Sequence, residues 1–259
     1  KKYDELVCTA GVRQDGSWVR LYPIPFRKIG YDKQYRKYEW IEADIIRNDK
    51  DFRPETFRVR SFDSIKRTGE IPPDKDGTWA QRRDMLLKNV YYSKEQLIED
   101  AYNPEIYRSL AIFKPVKITD FIIKEAENRG WDKETLQYIE AKLHQIDLFS
   151  GIPEIFKVVK KLPFDFYYEF IDSDGKKSKL RIIDWENGAL YWNCIKRSAG
   201  DEKKTCECVK KKYWDEFALT KDVYLILGTT KEYHAKRAHN PFVIIGVLPP
   251  KFEHQLRLL

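Results

Sequence analysis

The sequence predicts an α+β fold, built mostly from antiparallel β-hairpins with helices between them. Two Asp-Gly pairs, Asp15-Gly16 and Asp174-Gly175, each separate two strand-like runs, which is a strong short-range signal for a hairpin. Apolar residues recur at spacings of three and four over residues 132–148, which indicates a helix in the middle of the chain. Hairpins and helices grouped in this way favour α+β over a doubly wound parallel sheet.

The N-terminal region is expected to form a small barrel-like sheet followed by short helices. Its strands are predicted at residues 6–12, 18–22, 39–46 and 56–60. A loop rich in Gly, Pro and Asp is expected over residues 61–77. Short helices are then predicted at residues 79–90, 94–101 and 104–110, and an extended stretch at residues 112–123.

The C-terminal region repeats the pattern of hairpin, helices and strands. Its predicted elements are a hairpin over 163–183, helices at 185–196 and 202–219, and strands at 223–228 and 242–248. We therefore expect a β-rich region at 1–125, a helical connector at 126–162 and an α+β region at 163–259.

The charge of the chain favours an anionic partner. The formal net charge is +7, and the excess of cations lies at the two ends. Residues 1–60 hold 14 Lys/Arg against 10 Asp/Glu and residues 151–259 hold 20 against 15, whereas residues 61–150 hold 14 against 16. Attraction to phosphates grows with the number of cations that face one surface. Charge that serves only solubility is the alternative.

The short apolar runs and the cysteine content predict a cytoplasmic protein. The longest apolar runs, such as residues 242–248, are far shorter than the roughly 20 residues of a membrane helix, and no leader-like segment opens the sequence. Four cysteines in 259 residues do not indicate a disulfide framework. The sequence opens on Lys1 rather than methionine, which suggests that a further segment precedes it.

The segment from Trp18 to Arg27 is the first candidate for binding nucleic acid, because aromatic rings and arginines alternate in it. Two prolines within the segment, Pro23 and Pro25, suggest that it leaves the sheet. Cations would then contact phosphates while a ring stacks on a base. The residues expected to do so are Arg20, Tyr22, Phe26 and Arg27. Alternatively, the rings cap the core and the arginines are merely solvated.

Two carboxylates, Asp184 and Glu186, mark the start of a predicted helix and are candidates for catalysis. Together with Glu169 and Asp172 of the preceding hairpin they could hold Mg²⁺, as a nuclease requires. A lone carboxylate could instead serve a glycosylase that acts on an extruded base. An ordinary helix N-cap is the plain alternative for Asp184.

The loop between the last two predicted strands is the second candidate for binding nucleic acid. It runs from Gly228 to Pro241 and combines backbone N–H groups with cations and histidines. The residues expected to contact nucleic acid are Thr229, Lys231, Lys236, Arg237 and His239. His234 is the candidate general acid or base, since histidine titrates near neutral pH. A solvated basic loop is the alternative.

A zinc site is not expected, although Cys194, Cys206 and Cys208 and two histidines are available. Cys206 and Cys208 are two residues apart on a predicted helix and so point to different faces, unlike the paired ligands of zinc sites. The sequence also lacks the signatures of P-loop ATPases, dinucleotide-binding dehydrogenases, α/β-hydrolases and zincins.

Residues 6–27, 184–194 and the terminal strands with Gly228-Thr229-Thr230 resemble a widespread prokaryotic family of uncharacterised proteins. The resemblance covers most of the chain and implies a bacterial or archaeal source, but no activity. A looser likeness to PUA-type β-barrel modules, which bind RNA or modified DNA bases, depends on hairpin content and is an analogy of fold.

The sequence therefore predicts a nucleic-acid-binding protein, with a role in nucleic-acid maintenance or defence against phage. We expect it to recognise phosphates and stacked bases, including modified ones. An enzyme that acts on nucleic acid is the alternative, with Mg²⁺ as the cofactor if it is a nuclease and no cofactor otherwise. A protein-interaction module is the third hypothesis. DNA and RNA are not distinguished, and the number of subunits is not predicted.

Overall fold

The computed structural model describes residues 6–27, 29–131, 133–134, 137 and 160–252. Within them the chain has the predicted α+β architecture. The chain divides into two compact units, each discontinuous in sequence. Unit 1 comprises Lys1–Ile71 and Ala126–Pro163, and unit 2 comprises Pro72–Glu125 and Phe164–Leu259. The division into domains at 1–125, 126–162 and 163–259 stays a prediction. The first boundary between the two compact units of the structure falls after Ile71.

The described part of unit 1 is built on two small open sheets. Its strands are β1 (Leu6–Val12), β2 (Trp18–Pro25), β3 (Glu39–Glu42), β4 (Ile45–Arg47), β5 (Thr56–Val59) and β6 (Lys66–Glu70). The larger sheet has the order β1-β2-β5-β4, and β3 pairs with β6. Leu21, Ile24, Ile29 and Ile65 form the buried core cluster. No closed barrel occurs among the described residues.

The first Asp-Gly pair forms the predicted hairpin between β1 and β2. Gly16 has φ of 86°, which glycine adopts without the steric cost of a Cβ atom. The carboxylate of Asp15 accepts a hydrogen bond from the backbone N–H of Ser17 at 2.8 Å, which closes the turn. The hairpin is therefore determined by local sequence.

Unit 2 contains a seven-stranded sheet with the order β7-β8-β12-β13-β11-β10-β9. These strands are β7 (Val90–Tyr91), β8 (Leu110–Phe113), β9 (Lys117–Glu125), β10 (Phe164–Ile171), β11 (Lys177–Ile182), β12 (Tyr224–Thr229) and β13 (Phe242–Leu248). The α-helices of unit 2 are α1 (Ala80–Leu86), α2 (Lys94–Tyr102), α3 (Trp185–Arg197), α4 (Glu202–Lys210) and α5 (Lys231–Ala235). A π-helix, Lys211–Ala218, continues α4.

The second Asp-Gly pair turns β10 into β11, as predicted. Gly175 has φ of 71°, and the buried Asp172 carboxylate accepts hydrogen bonds from the backbone N–H groups of Asp174 and Lys176. The strand residues alternate between buried and partly exposed positions, because one face of β10 and β11 packs on the core. We call this the inner face and its opposite the outer face.

Aromatic rings from the helices cover the inner face. Tyr213 of the π-helix stacks on Phe121 of β9, with ring centroids 5.9 Å apart, and Tyr191 of α3 lies 6.2 Å from Phe166 of β10. The hydroxyl of Tyr168 donates a hydrogen bond to the carbonyl of Tyr213. This contact gives the π-helix backbone a partner inside the core.

Several predicted elements differ from the structure. Residues 39–46 form two strands, and the predicted loop at 61–77 contains β6, whose five residues are all exposed and so show no alternation. Residues 104–110 are not a helix, since Tyr107 adopts a left-handed backbone with φ of 46°. The helix predicted at 132–148 lies almost wholly outside the described residues. No helix in the described ranges is long and apolar enough to cross a membrane.

Candidate nucleic-acid interface

Arg20 lies inside unit 1 and not on its surface. Its strand, β2, is flanked by β1 and β5 in the sheet, and its side chain is 3% exposed. The guanidinium donates a hydrogen bond to the hydroxyl of Thr56 at 3.3 Å and lies 4.0 Å from the carboxylate of Glu55. Burial, and then the charge of Arg53, lowers the pKa of Arg20. The predicted contact with phosphate requires an exposed side chain, and in this structure the Arg20 side chain is buried.

The loop between β4 and β5 contributes two more buried polar residues, Asp51 and Arg53, whose charges act on Arg20. Arg53 donates to both carboxylate oxygens of Asp51, and the residues are 7% and 5% exposed. Although burial alone would raise the pKa of Asp51, the hydrogen bonds and charge of Arg53 lower it. We call Arg20, Asp51, Arg53 and Glu55 the unit 1 ionic cluster.

The rest of the aromatic segment also belongs mainly to the sheet. Strand β2 continues through both prolines, with Leu6 opposite Pro25, so the prediction that the chain leaves the sheet after Tyr22 is wrong. The Tyr22-Pro23 peptide bond is cis, and the Tyr22 carbonyl accepts a hydrogen bond from Asn48. Phe26 packs edge to face on Tyr35, with ring centroids 5.0 Å apart.

Arg27 is the one member of the predicted set in this segment with an exposed side chain. The other three residues, Arg20, Tyr22 and Phe26, are buried or half-buried. Phe26 packs against the core of unit 1 in this structure, which agrees with the alternative interpretation of the rings.

The pair Asp184 and Glu186 begins α3. A carboxylate oxygen of Asp184 accepts the backbone N–H of Glu186 at 3.2 Å, which is the geometry of an N-cap, and Glu186 is exposed. Burial, and then the charges of Asp184 and Glu186, raises the pKa of Tyr213. The two carboxylates are therefore close to that phenol.

The other two carboxylates of the predicted catalytic group have local partners. Glu169 pairs with Lys177 at 2.7 Å, and Asp172 closes the β10–β11 turn. No three His, Cys, Asp or Glu side chains are grouped to hold a metal ion in the part of the chain that the structure describes.

The predicted loop between β12 and β13 contains α5, and its residues divide into an interior and an exterior set. The imidazole of His234 is 2% exposed, with Nε2 2.6 Å from the carbonyl of Ala101 and Nδ1 3.1 Å from the hydroxyl of Thr229. Both ring nitrogens therefore have partners, and Thr229 is itself buried. This geometry suits a residue that joins α5 to α2 better than a general acid or base.

The other predicted contact residues of this loop are exposed, as binding nucleic acid requires. Lys231, Lys236, Arg237 and His239 are all exposed. Lys236 pairs with Glu232 at 2.6 Å, and the guanidinium of Arg237 lies 4.9 Å from the ring centroid of Tyr102. All four side chains therefore lie at the surface of unit 2, as contact with an anion requires.

Two of the four cysteines form a disulfide, although the sequence did not indicate a disulfide framework. Cys194 of α3 and Cys208 of α4 form a disulfide with an S–S distance of 2.10 Å. The sequence reasoning missed it because spacing along the chain does not show which helices lie side by side. Burial, and then the charges of Glu202 and Glu207, raises the pKa of the remaining thiol on α4, Cys206, to about 11.

The outer face of β9, β10 and β11 carries a basic surface that sequence reasoning did not single out. Strand register places Tyr167 of β10 between Ile122 of β9 and Arg181 of β11. Lys179 lies with its Nζ 5.6 Å from the Tyr167 ring centroid. The exposed cations of this outer-face surface are Lys117, Lys124, Lys177, Lys179 and Arg181.

The ion pairs of the outer-face surface leave its cations outermost. The side chains of Lys177 and Arg181 are 64% and 47% exposed, whereas those of their partners Glu169 and Asp165 are 23% and 18% exposed. Hydrogen bonding and charge from Lys177 lower the pKa of Glu169. Lys177 and Arg181 therefore extend further into solvent than their partner carboxylates, while Asp120 of β9, opposite Glu169 on the same face, is an exposed carboxylate. The signal in the sequence was the alternation of Lys177, Lys179 and Arg181 with buried residues.

Two family models together cover nearly the whole chain. Residues 90–259 match the model described as Domain of unknown function (DUF8757), and residues 1–88 match the model described as Domain of unknown function (DUF8758). The comparison with curated proteins finds no match. The comparison with solved structures finds none either.

Proposed function

We propose that this chain, which belongs to the DUF8757 family, binds nucleic acid through the outer-face surface of β9, β10 and β11. The observation that carries the proposal is the position of Tyr167, a partly exposed ring with the cations of β11 beside it. An aromatic ring on a sheet offers a stacking partner to an unpaired base, and flanking cations contact the phosphates. This combination favours a single strand over a duplex.

The spacing along β11 supports the proposal. Side chains two residues apart on one face of a strand are separated by roughly 7 Å, which approximates the distance between successive phosphates in an extended single strand. Lys177, Lys179 and Arg181 form such a row. Three cations in register can therefore contact consecutive phosphates.

Exposed ion pairs do not prevent this use of the cations. The attraction within a surface pair such as Lys177 with Glu169 contributes little in water, about 0–1 kcal/mol. A polyanion releases condensed counterions when it binds several cations together, and that gain exceeds the loss of such pairs at low salt.

The test is a titration of fluorescently labelled single-stranded RNA and DNA with the whole chain at several salt concentrations. We compare the wild type with the triple variant Lys177→Gln, Lys179→Gln and Arg181→Gln. The control removes the same charge from exposed positions on α3 and α4, as Lys196→Gln, Lys203→Gln and Lys204→Gln.

Three lost phosphate contacts lower affinity about 100-fold at 0.1 M salt and flatten the slope of log K against log salt by about 2. The control keeps the wild-type slope. Equal behaviour of the two triple variants contradicts the proposed surface, and a wild type that does not bind at low salt contradicts the proposed function.

The same mixtures test the hydrolase alternative at Asp184 and Glu186. We incubate plain and base-modified oligonucleotides with the chain, with and without Mg²⁺, and examine them for strand breaks and abasic sites. A binding protein leaves them intact. Cleavage that is lost in Asp184→Asn would instead assign catalysis to the start of α3.

A further inference from the structure

We propose that the bond between Cys194 and Cys208 is a thiol–disulfide exchange site, which a dithiol reductant opens by attack on the sulfur of Cys208. The bond joins α3 to α4, and the two Cα atoms are 6.4 Å apart, within the range of an ordinary disulfide. Opening it frees the part of α4 that leads into the π-helix. This inference does not depend on the proposed function, because neither cysteine belongs to the outer-face surface.

The two cysteines differ in accessibility. Cys194 is 2% exposed and belongs to the buried core, whereas Cys208 is partly exposed. An attacking thiolate must reach one sulfur atom and displace the other. The difference in exposure therefore directs the attack to Cys208 and makes Cys194 the leaving group.

A guanidinium group is positioned to stabilise this leaving group. Nη2 of Arg197 donates a hydrogen bond to Sγ of Cys194 at 3.8 Å, and Nε of the same side chain donates to the carbonyl of Asn193 at 3.3 Å. The second hydrogen bond holds the guanidinium next to the sulfur. A nearby cation lowers the pKa of a thiol, and a thiol of lower pKa leaves faster. Arg197 therefore favours the same direction of attack as burial does.

Cys206, which lies close to Cys208 in sequence, is not the attacking thiol. Residues two apart on a helix point to different faces. Burial, and then the charges of Glu202 and Glu207, raises the pKa of Cys206 to about 11, so its thiol is protonated at neutral pH. The thiolate is the form that attacks a disulfide. We therefore assign the attack to a separate dithiol.

The exchange takes two steps. The first thiolate of the reductant forms a bond to Sγ of Cys208, and the bond between Cys208 and Cys194 breaks with its electron pair on Cys194. The second thiolate then attacks the reductant's own sulfur in the mixed disulfide, and Cys208 leaves as a thiolate. Two electrons pass from the dithiol, which ends as a disulfide, to the two cysteines. The protons of the dithiol pass through solvent to the two new thiols.

The contact between α3 and α4 does not depend on the disulfide alone. The hydroxyls of Ser198 and Thr205 are hydrogen-bonded at 2.8 Å, and Thr205 is buried. A carboxylate oxygen of Asp201 caps α4 by accepting the backbone N–H of Lys204 at 3.0 Å. The helix pair therefore stays folded when the disulfide opens, as a reversible exchange requires.

The freed part of α4 leads directly into the π-helix. The carbonyl of Cys208 accepts a hydrogen bond from the backbone N–H of Lys211, the residue at which the π-helix begins. Tyr213 of the π-helix stacks on Phe121 of β9. A cross-link restricts the segments that it joins, so opening it lowers the protection of α4 and of the first π-helix residues against hydrogen exchange.

The experiment uses the whole chain as Cys206→Ser, so that the tryptic peptide around Cys208 contains one cysteine. Protein purified without reductant is treated briefly with reduced glutathione, a monothiol, so that the mixed disulfide is retained. New free thiols are blocked with N-ethylmaleimide, and the peptides are identified by mass spectrometry. Dithiothreitol is the dithiol used to measure rates. Arg197→Gln tests the leaving group, and Lys196→Gln is the matched control, because it removes the same charge from the adjacent exposed position.

We expect glutathione on Cys208 and N-ethylmaleimide on Cys194, with about tenfold more of this product than of the reverse one. Arg197→Gln slows opening by dithiothreitol about threefold, and Lys196→Gln keeps the rate of the parent variant. Hydrogen exchange of residues 202–213 becomes about tenfold faster in reduced protein, while that of β10 stays the same. The circular dichroism spectrum does not change.

Four results overturn the inference. The first is protein whose thiols all stay free after purification in air and incubation with oxidised glutathione. The second is glutathione on Cys194, or on both cysteines equally. The third is a rate of opening that is the same in Arg197→Gln as in Lys196→Gln. The fourth is loss of the circular dichroism spectrum on reduction, which would show that the bond serves stability and not exchange.

Discussion

Strand β2 carries a single cation, Arg20, and strand β11 carries three at alternating positions, yet the two strands place their cations in opposite environments. Arg20 of β2 is 3% exposed, whereas Arg181 of β11 is 47% exposed. Strand β2 lies between two neighbours, and the loop before β5 adds the buried residues Asp51 and Arg53. On the outer face of β11, Lys177 and Arg181 pair with Glu169 and Asp165 of the neighbouring strand and stay exposed. Whether a cation on a strand is exposed therefore depends on what packs against that face of the strand.

The difference also explains which sequence signal was informative. The aromatic and cationic residues around Arg20 suggested a surface that binds nucleic acid. The same sequence pattern is also compatible with a strand whose polar residues are buried. In β11, cations alternate strictly with Ser178, Leu180 and Ile182, all buried. Strict alternation at a period of two is the stronger indicator of an exposed face.

The largest expected effect that tests this comparison is on stability. Replacing Arg20 with alanine removes a buried guanidinium that pairs with Glu55 and whose charge helps to lower the pKa of Asp51, so we expect the free energy of unfolding to fall by about 3 kcal/mol. Arg27→Ala, at an exposed site of the same segment, changes it by less than about 0.5 kcal/mol. Urea denaturation followed by fluorescence measures both. Equal effects would show that Arg20 is not buried in solution.

The next effect concerns the aromatic residue of the outer-face surface. Tyr167→Ala removes the proposed stacking ring, and we expect affinity for single-stranded nucleic acid to fall about tenfold. Tyr167→Phe keeps the ring and the affinity. Tyr22→Ala, the corresponding change on β2, leaves affinity unchanged in folded protein. Fluorescence anisotropy measures all three, and a loss in Tyr22→Ala equal to that in Tyr167→Ala would reverse the comparison.

A smaller effect separates binding from stability at one residue. Arg181→Gln removes one phosphate contact, and we expect affinity to fall about fivefold at 0.1 M salt. Its ion pair with Asp165 is exposed, so the free energy of unfolding changes by less than about 1 kcal/mol. If Arg181 only stabilised the fold, Arg181→Gln would lower the free energy of unfolding and leave the affinity for nucleic acid unchanged.

The smallest expected effect is a difference in acid sensitivity. The pKa of Asp51 is below its ordinary value of 3.8, mainly because the hydrogen bonds and charge of Arg53 outweigh burial. The unfolded chain therefore binds a proton more readily, and the stabilisation from Asp51 is full above pH of about 4 and is lost as pH falls below it. Denaturation midpoints at pH 7 and pH 3 measure this loss. Asp51→Asn is expected to show a smaller drop, and an equal drop would contradict it.

Much of the fold could be predicted from local sequence. Both Asp-Gly hairpins, the N-cap at Asp184 and the strands β12 and β13 follow from turn chemistry, capping and apolar runs, and the structure confirms them. Strand β6 was missed because its residues are all exposed. The π-helix after α4 was missed because its apolar spacing resembles that of an α-helix.

The candidate site was less predictable, since it depends on contacts distant in sequence. The disulfide between Cys194 and Cys208 requires α3 to lie beside α4, and the partners of His234 come from α2 and β12. The spacing of residues along the sequence indicates neither the disulfide nor the partners of His234. Nucleic-acid binding and a role in maintenance or defence stay predictions for experiment.

The most direct test of the central claim is photo-crosslinking of the whole chain to single-stranded RNA that contains 4-thiouridine, followed by mass spectrometry of the peptides. We expect crosslinks on the peptides that contain Phe164–Ile171 and Lys177–Ile182, with Tyr167 as the main site. Crosslinks confined to residues 18–27 of unit 1 would contradict the account, because they would place the nucleic acid on β2 and not on the outer face of β9, β10 and β11.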